Sequence, residues 1–156
     1  MTTDVQSHTT LYGYRFRSLL IGGLVTAAVA AVANLVVFMI AKGPLDISFV
    51  IAYRGPDTTP ESLPPALVAI TSAVPALIAA LLLWVLGHTI RRPLFVFQIV
   101  SAIALLLSLA GPFTLEDVSA STRVALLVMH LLAGAIIIGG LTLWVSQGPQ
   151  EERISA

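Results

Sequence analysis

The side chains able to do chemistry inside this chain are few, and five of them fall near one level. Asn34, the only asparagine, and Thr71, Ser72, Ser108 and His130 interrupt long apolar stretches, where a polar group turns inward because hydrocarbon offers it no partner. On helices rising about 1.5 Å per residue, Asn34 lies about 10 Å below the outer end of its stretch and His130 a similar depth below Arg123. Thr71 and Ser72 come at comparable depth, and Ser108 is slightly shallower. One reading makes these residues internal glue, each interhelical hydrogen bond contributing about 0.6 kcal/mol, with the hydroxyls also free to bond back to their own helix carbonyls. A sharper reading is a small site opening outward, with His130 as the one group able to titrate near neutral pH. A third is that the residues face different directions and never meet.

Several chemistries fail on residue type alone. Bis-histidine haem ligation needs two histidines at matching depth, yet His88 falls at the inner end of the second apolar stretch and His8 in the N-terminal tail. Zinc hydrolysis needs three or four ligands where the apolar stretches supply one. No Asp or Glu occurs within those stretches, which removes paired carboxylates and the membrane carboxylate of the small multidrug exporters. The absence of cysteine removes thiol nucleophiles, disulfides and iron-sulfur ligation. There is no glycine-rich phosphate loop and no nucleophile elbow. No metal, cofactor or catalytic residue is expected, and the protein reads as a non-enzyme.

A second cluster joins His88, Arg91 and Arg92 to Gln98, one or two turns further in. Such a group can grip a lipid headgroup phosphate or a partner's acidic tail. The favoured reading is that this basic turn enforces topology.

The elements that position these groups follow from composition. The chain has 156 residues, 57% hydrophobic and 10% charged, with a mean hydropathy of +0.95, more apolar surface than a soluble domain of that size can hide. Residues 18–41, 63–87, 93–115 and 124–148 contain no Asp, Glu, Lys or Arg, and each reaches the roughly 20 residues that cross a bilayer. Soluble helices carry charge on one face; these are apolar all round. The expectation is an all-α integral membrane four-helix bundle. It has helices over about 18–41, 63–87, 93–113 and 124–146 within a domain of 18–148, and tails at 1–17 and 149–156. The first stretch is about twice the length of a signal-peptide core and reads as a retained helix. Zero net charge and the lack of charge blocks speak against nucleic acid as a partner.

Breakers mark the joints. Gly43 and Pro44 end the first helix, Pro64 and Pro65 open the second, and Pro75 inside it predicts a kink. Ile47 to Tyr53 reads as a short strand or interface-lying segment before Gly55, Pro56 and Pro60. Arg15, Arg17, Arg91, Arg92 and Arg153 on one side outnumber Lys42, Arg54 and Arg123 on the other. Trp84 and Trp144 fall at the more basic side, and the acidic loops (Asp46, Asp57, Glu61; Glu116, Asp117) at the other. By the positive-inside rule this predicts a multi-pass protein of the cell membrane with both termini cytoplasmic. Gly23, Ala27 and Ala31 in the first helix and Ser72, Ala76 and Ala80 in the second form small-residue stripes suited to close packing, within the chain or between copies. The third helix is bulky, with Leu105, Leu106, Leu107 and Leu109, and is expected to face more lipid or to fill holes between its neighbours. The fourth offers Gly134, Gly139 and Gly140, which are not in four-residue register.

The Asn34-bearing first helix, His88-Thr-Ile-Arg-Arg-Pro93, Ser108-Leu-Ala-Gly-Pro112 and Met129-His130-Leu131 together resemble a family of bacterial four-helix membrane proteins whose domain has no assigned function. The resemblance covers roughly residues 15–146. It implies a four-span bundle and a mainly bacterial distribution, and it supplies no activity. The function expected is association within the membrane, with lipids and with a second copy or a membrane partner protein. The alternative is a small-solute or proton-handling transporter using the polar level in the outer half of the bundle.

Overall fold

The computed structural model describes residues 14–51, 61–115 and 118–147. In chain order these form α1 (Phe16–Lys42), β1 (Val50–Ile51), β2 (Glu61–Ser62), α2 (Pro65–Thr89), α3 (Pro93–Ser108), α4 (Gly111–Thr114) and α5 (Ala120–Gln147). α1, α2, α5 and the run Pro93–Thr114 that joins α3 to α4 are each long and apolar enough to cross a membrane. The fold is an all-α four-helix bundle of the membrane type. The two-residue strands pair antiparallel, Val50 opposite Ser62; of the segment Ile47 to Tyr53 expected to be extended, β1 realises Val50 and Ile51, and residues 52 and 53 lie outside the described residues. Tail residues up to 13 with His8, residues 52–60 with Arg54, Asp57 and the breakers there, Glu116, Asp117 and everything from 148 on, including Arg153, lie outside the described residues.

Local sequence explains where the helices start and stop. α2 begins with Pro64 as its extended N-cap and Pro65 at the first helical position, where the missing N–H would have been unsatisfied anyway. It continues through Pro75 and takes in His88 and Thr89, past the expected end. α5 starts a turn earlier than its uncharged stretch because Ser119 caps it, its hydroxyl accepting the backbone N–H of Thr122 at 3.1 Å. Arg123 is thereby a helical residue rather than a boundary. Gly43 does cap α1, its N–H donating to the Met39 carbonyl, but with φ of −87°. The left-handed residue of that connection is Asp46, at φ 49°, a conformation that short polar side chains tolerate.

Successive long helices alternate in direction. The Phe16 ring stands edge-on to Trp84 at 5.3 Å, and the Trp144 indole N–H points to the Ser18 hydroxyl at 3.4 Å, so the start of α1 meets the ends of α2 and α5. At the opposite end Phe38 packs on Phe49 at 4.8 Å, and the Thr122 hydroxyl donates to the Ser48 carbonyl at 2.9 Å. Both ends of the described chain therefore lie on one side of the bundle.

α1 is the packing centre, lying along both α2 and α5. Its buried face runs Leu19, Gly23, Ala27, Ala30, Asn34, Phe38. Ala30 replaces the expected Ala31 on that face, because a strict spacing of four overshoots a helical turn by roughly 40° each time. A Cβ on Gly23 would stand 2.6 Å from the Cβ of Ala80, and one on Gly22 would meet the Trp144 ring at 2.7 Å. The glycines are thus required where α2 and α5 close on α1. α3 behaves as its leucines suggested: only 6% of its span is buried, against 33% for α1. It lies across α2 and α5 without packing along α1.

Candidate intramembrane site

The loose seating of α3 leaves a cavity of about 670 Å³ between α2, α3 and α5, floored on the α1 side by Asn34. All five residues of the proposed polar level, Asn34, Thr71, Ser72, Ser108 and His130, line it. They fall between two apolar cores. One holds Ala30, Ala76 and Leu83, the other Phe38, Val68 and Met129.

Asn34 and Ser72 are the buried pair, each 4% exposed. Asn34 donates from Nδ2 to the Ser72 hydroxyl at 2.9 Å, and that hydroxyl donates in turn to the Val68 carbonyl at 2.7 Å. Ser72 has a single proton and gives it to Val68, so the amide must present its nitrogen to Ser72. The amide oxygen, Oδ1, is buried with no hydrogen-bond partner. This chain from α1 to α2 is the one place where the polar level bonds between helices in the way expected of glue.

The remaining three keep to their own helices. Thr71 donates to the Leu67 carbonyl at 2.8 Å, Ser108 to Leu105 at 2.7 Å, and His130 Nδ1 lies 2.8 Å from the Leu126 carbonyl. Thr71 and Ser108 are exposed and His130 is half-buried, so the level is not sealed. A carbonyl only accepts, and the proton on that edge of the imidazole therefore belongs to Nδ1.

Of the other wall residues Ser101 is polar, and several more carried no polar signal. Ala104, Ala133 and Gly134 make room by being small, which only the pairing of α3 with α5 turns into a cavity. A Cβ on Gly134 would meet the Leu105 side chain at 2.6 Å. The lash at the α4 end was also missed. Arg123 Nε donates to the Pro112 carbonyl at 3.1 Å and its guanidinium stands 5.8 Å over the Phe113 ring, tying α4 to α5 beside Pro112, itself a wall residue. An arginine at a helix start and a Gly-Pro step do not announce each other in sequence.

His88, Arg91, Arg92 and Gln98 are all exposed and none lines the cavity. His88 Nδ1 lies 2.8 Å from the Trp84 carbonyl, at the end of the bundle that holds both tryptophans. Among the described residues no three His, Cys, Asp or Glu side chains gather as a metal site.

Fold and site together define a four-span helical bundle of the membrane type with a part-polar cavity. A family of unknown function, DUF6069, matches residues 14–146, and the chain belongs to it. Comparison with curated proteins and with solved structures gives no significant match.

Proposed function

We propose that this is a non-enzymatic protein of the cell membrane that acts by association within the bilayer, the associating molecule seating between α2, α3 and α5. The observation that carries this reading is the cavity of about 670 Å³, within the roughly 300–1,000 Å³ of ligand pockets, with an apolar wall and a few convergent polar groups. A half-open space of that size beside a helical span only 6% buried supports a bundle completed by an associating molecule. The non-enzymatic part rests on residue supply: a lone imidazole without carboxylate, thiol or second base lacks the cooperating groups that acid-base or nucleophilic catalysis requires. Both termini are placed in the cytoplasm on the distribution of Lys and Arg.

Filling the cavity tests the reading. Ala133→Phe is expected to leave the fold intact by circular dichroism while releasing whatever co-purifies with the wild-type protein from native membranes, whether lipid, small molecule or partner chain. Unchanged co-purification from a folded variant would remove the cavity from the proposal.

The transport reading is favoured by one observation, that Pro75 lies on the wall with His130 and Asn34, combining a helix-weakening residue with polar side chains. It requires proton or solute flux in proteoliposomes that His130→Leu abolishes. Association without flux leaves the first reading in place.

A further inference from the structure

We infer that the cavity selects an apolar guest bearing a hydrogen-bond donor, a hydroxyl or N–H on a hydrocarbon or aromatic body, over the same body bearing only an acceptor. This rests on the reading of the cavity as the place of association and specifies the guest's chemistry.

The selection follows from where the wall's protons go. Thr71 gives its only hydroxyl proton to the Leu67 carbonyl, leaning also toward Val68 at 3.2 Å. Ser108 gives its proton to Leu105, and Ser72 to Val68. Asn34 points its N–H at Ser72, and its buried oxygen has no partner. With Nδ1–H held by the Leu126 carbonyl, the neutral His130 ring keeps only the bare lone pair of Nε2. At this level the donors are committed within the protein, apart from the second N–H of the 4%-exposed Asn34 amide, and lone pairs are left over. Ser101 keeps a rotatable hydroxyl, but it sits two turns earlier in α3, about 10 Å from Ser108.

A guest hydroxyl entering here finds acceptors on three helices: Thr71 on α2, Ser108 on α3 and His130 on α5. Thr71 and Ser108 are exposed and line the cavity. An ether, ketone or ester meets lone pair against lone pair, and its desolvated oxygen goes unpaired. The apolar remainder of the wall binds the body of either guest alike, so the head group decides. An anion is disfavoured for the same reason as the ether.

The probes are 2,6-diisopropylphenol and its methyl ether, with the full-length protein in phosphatidylcholine nanodiscs. Binding is read by equilibrium dialysis and corrected with empty nanodiscs for partition into lipid. The phenol is expected to bind saturably and about three- to tenfold tighter than the ether. The double variant Thr71→Val, Ser108→Ala should bring the ratio toward one with the ether's affinity unchanged, and Ala133→Phe should abolish binding of both. Equal saturable affinity for phenol and ether overturns the donor selection and leaves the association reading standing. Absence of saturable binding by either overturns both. Phenol binding that survives Ala133→Phe in a folded protein puts the guest elsewhere and overturns the inference.

Discussion

Asn34 and Ser72 show how unequal the two ends of one hydrogen bond are. Replacing Ser72 with Ala leaves a 4%-exposed amide with neither its N–H nor its oxygen bonded, and an unsatisfied buried group costs about 1–3 kcal/mol. Replacing Asn34 with Leu removes the bond together with the orphan oxygen, and Ser72 keeps its bond to Val68. Ser72→Ala is therefore expected to lower stability by about 1–3 kcal/mol, and Asn34→Leu by less than about 1 kcal/mol. Reversible unfolding in mixed micelles gives the order, and a larger loss for Asn34→Leu would mean that the amide oxygen has a role the wall does not reveal. Which residues would be polar inside the bundle was legible from their isolation in apolar sequence. Which of them would bond to each other was not: Thr71 and Ser72 are neighbours, yet only Ser72 faces α1, because adjacent helical positions point about 100° apart.

The contact of α1 with α2 depends on one atom too few. The Gly23 position stands 2.6 Å from Ala80 Cβ once a Cβ is added, and neither a backbone nor a methyl can rotate away. Gly23→Val is expected to cost about 1–3 kcal/mol as overpacking. Ala80→Gly in the same chain should restore much of it, giving a favourable coupling in a double-mutant cycle. Gly139, with nothing within 4 Å of an added Cβ, is the control, and Gly139→Ala should change stability by less than about 0.5 kcal/mol. At the other end, Arg123→Gln removes the charged donor to Pro112 and the contact over Phe113. The expected result is a loss of about 1–2 kcal/mol and faster amide exchange confined to residues 109–115. Exchange spread evenly over the bundle would show instead that α4 has no hold of its own. The stripes of small residues foretold close packing; the exact face depended on the partner helix.

For the whole molecule, alternation of four spans places both described ends on one side, and the excess of Arg at that side sets the orientation proposed. Fusion of a reporter active only in the cytoplasm to either terminus should give signal, and a reporter inserted between residues 52 and 60 should not. Signal from the insertion alone would invert the topology and turn the polar level toward the cytoplasmic half. Because the chain contains no cysteine, single Cys substitutions give a clean map of the cavity. Ala104→Cys, on the cavity wall, should be protected from a membrane-permeant maleimide by a bound guest, and Leu107→Cys, which is exposed and off that wall, should not. Equal protection at both would point to a general effect on the membrane rather than occupancy of the cavity.

The number of spans, the helix-breaking joints, the exposed character of α3 and the level of the polar residues were legible in the sequence alone. Each of these is a property of one segment: its length without charge, its Pro and Gly, its bulk, its distance from an end. Tertiary packing alone sets α3 off from α1, brings Asn34 to Ser72 and not to His130, and leaves a half-open space lined in part by small residues from α3 and α5. Those depend on how far apart two helices come to rest, which is set by pairs of residues such as Gly23 with Ala80 and Gly134 with Leu105. In lipid no hydrophobic exclusion draws helices together, so a bundle closes only where such pairs fit, and the place where they do not is the cavity.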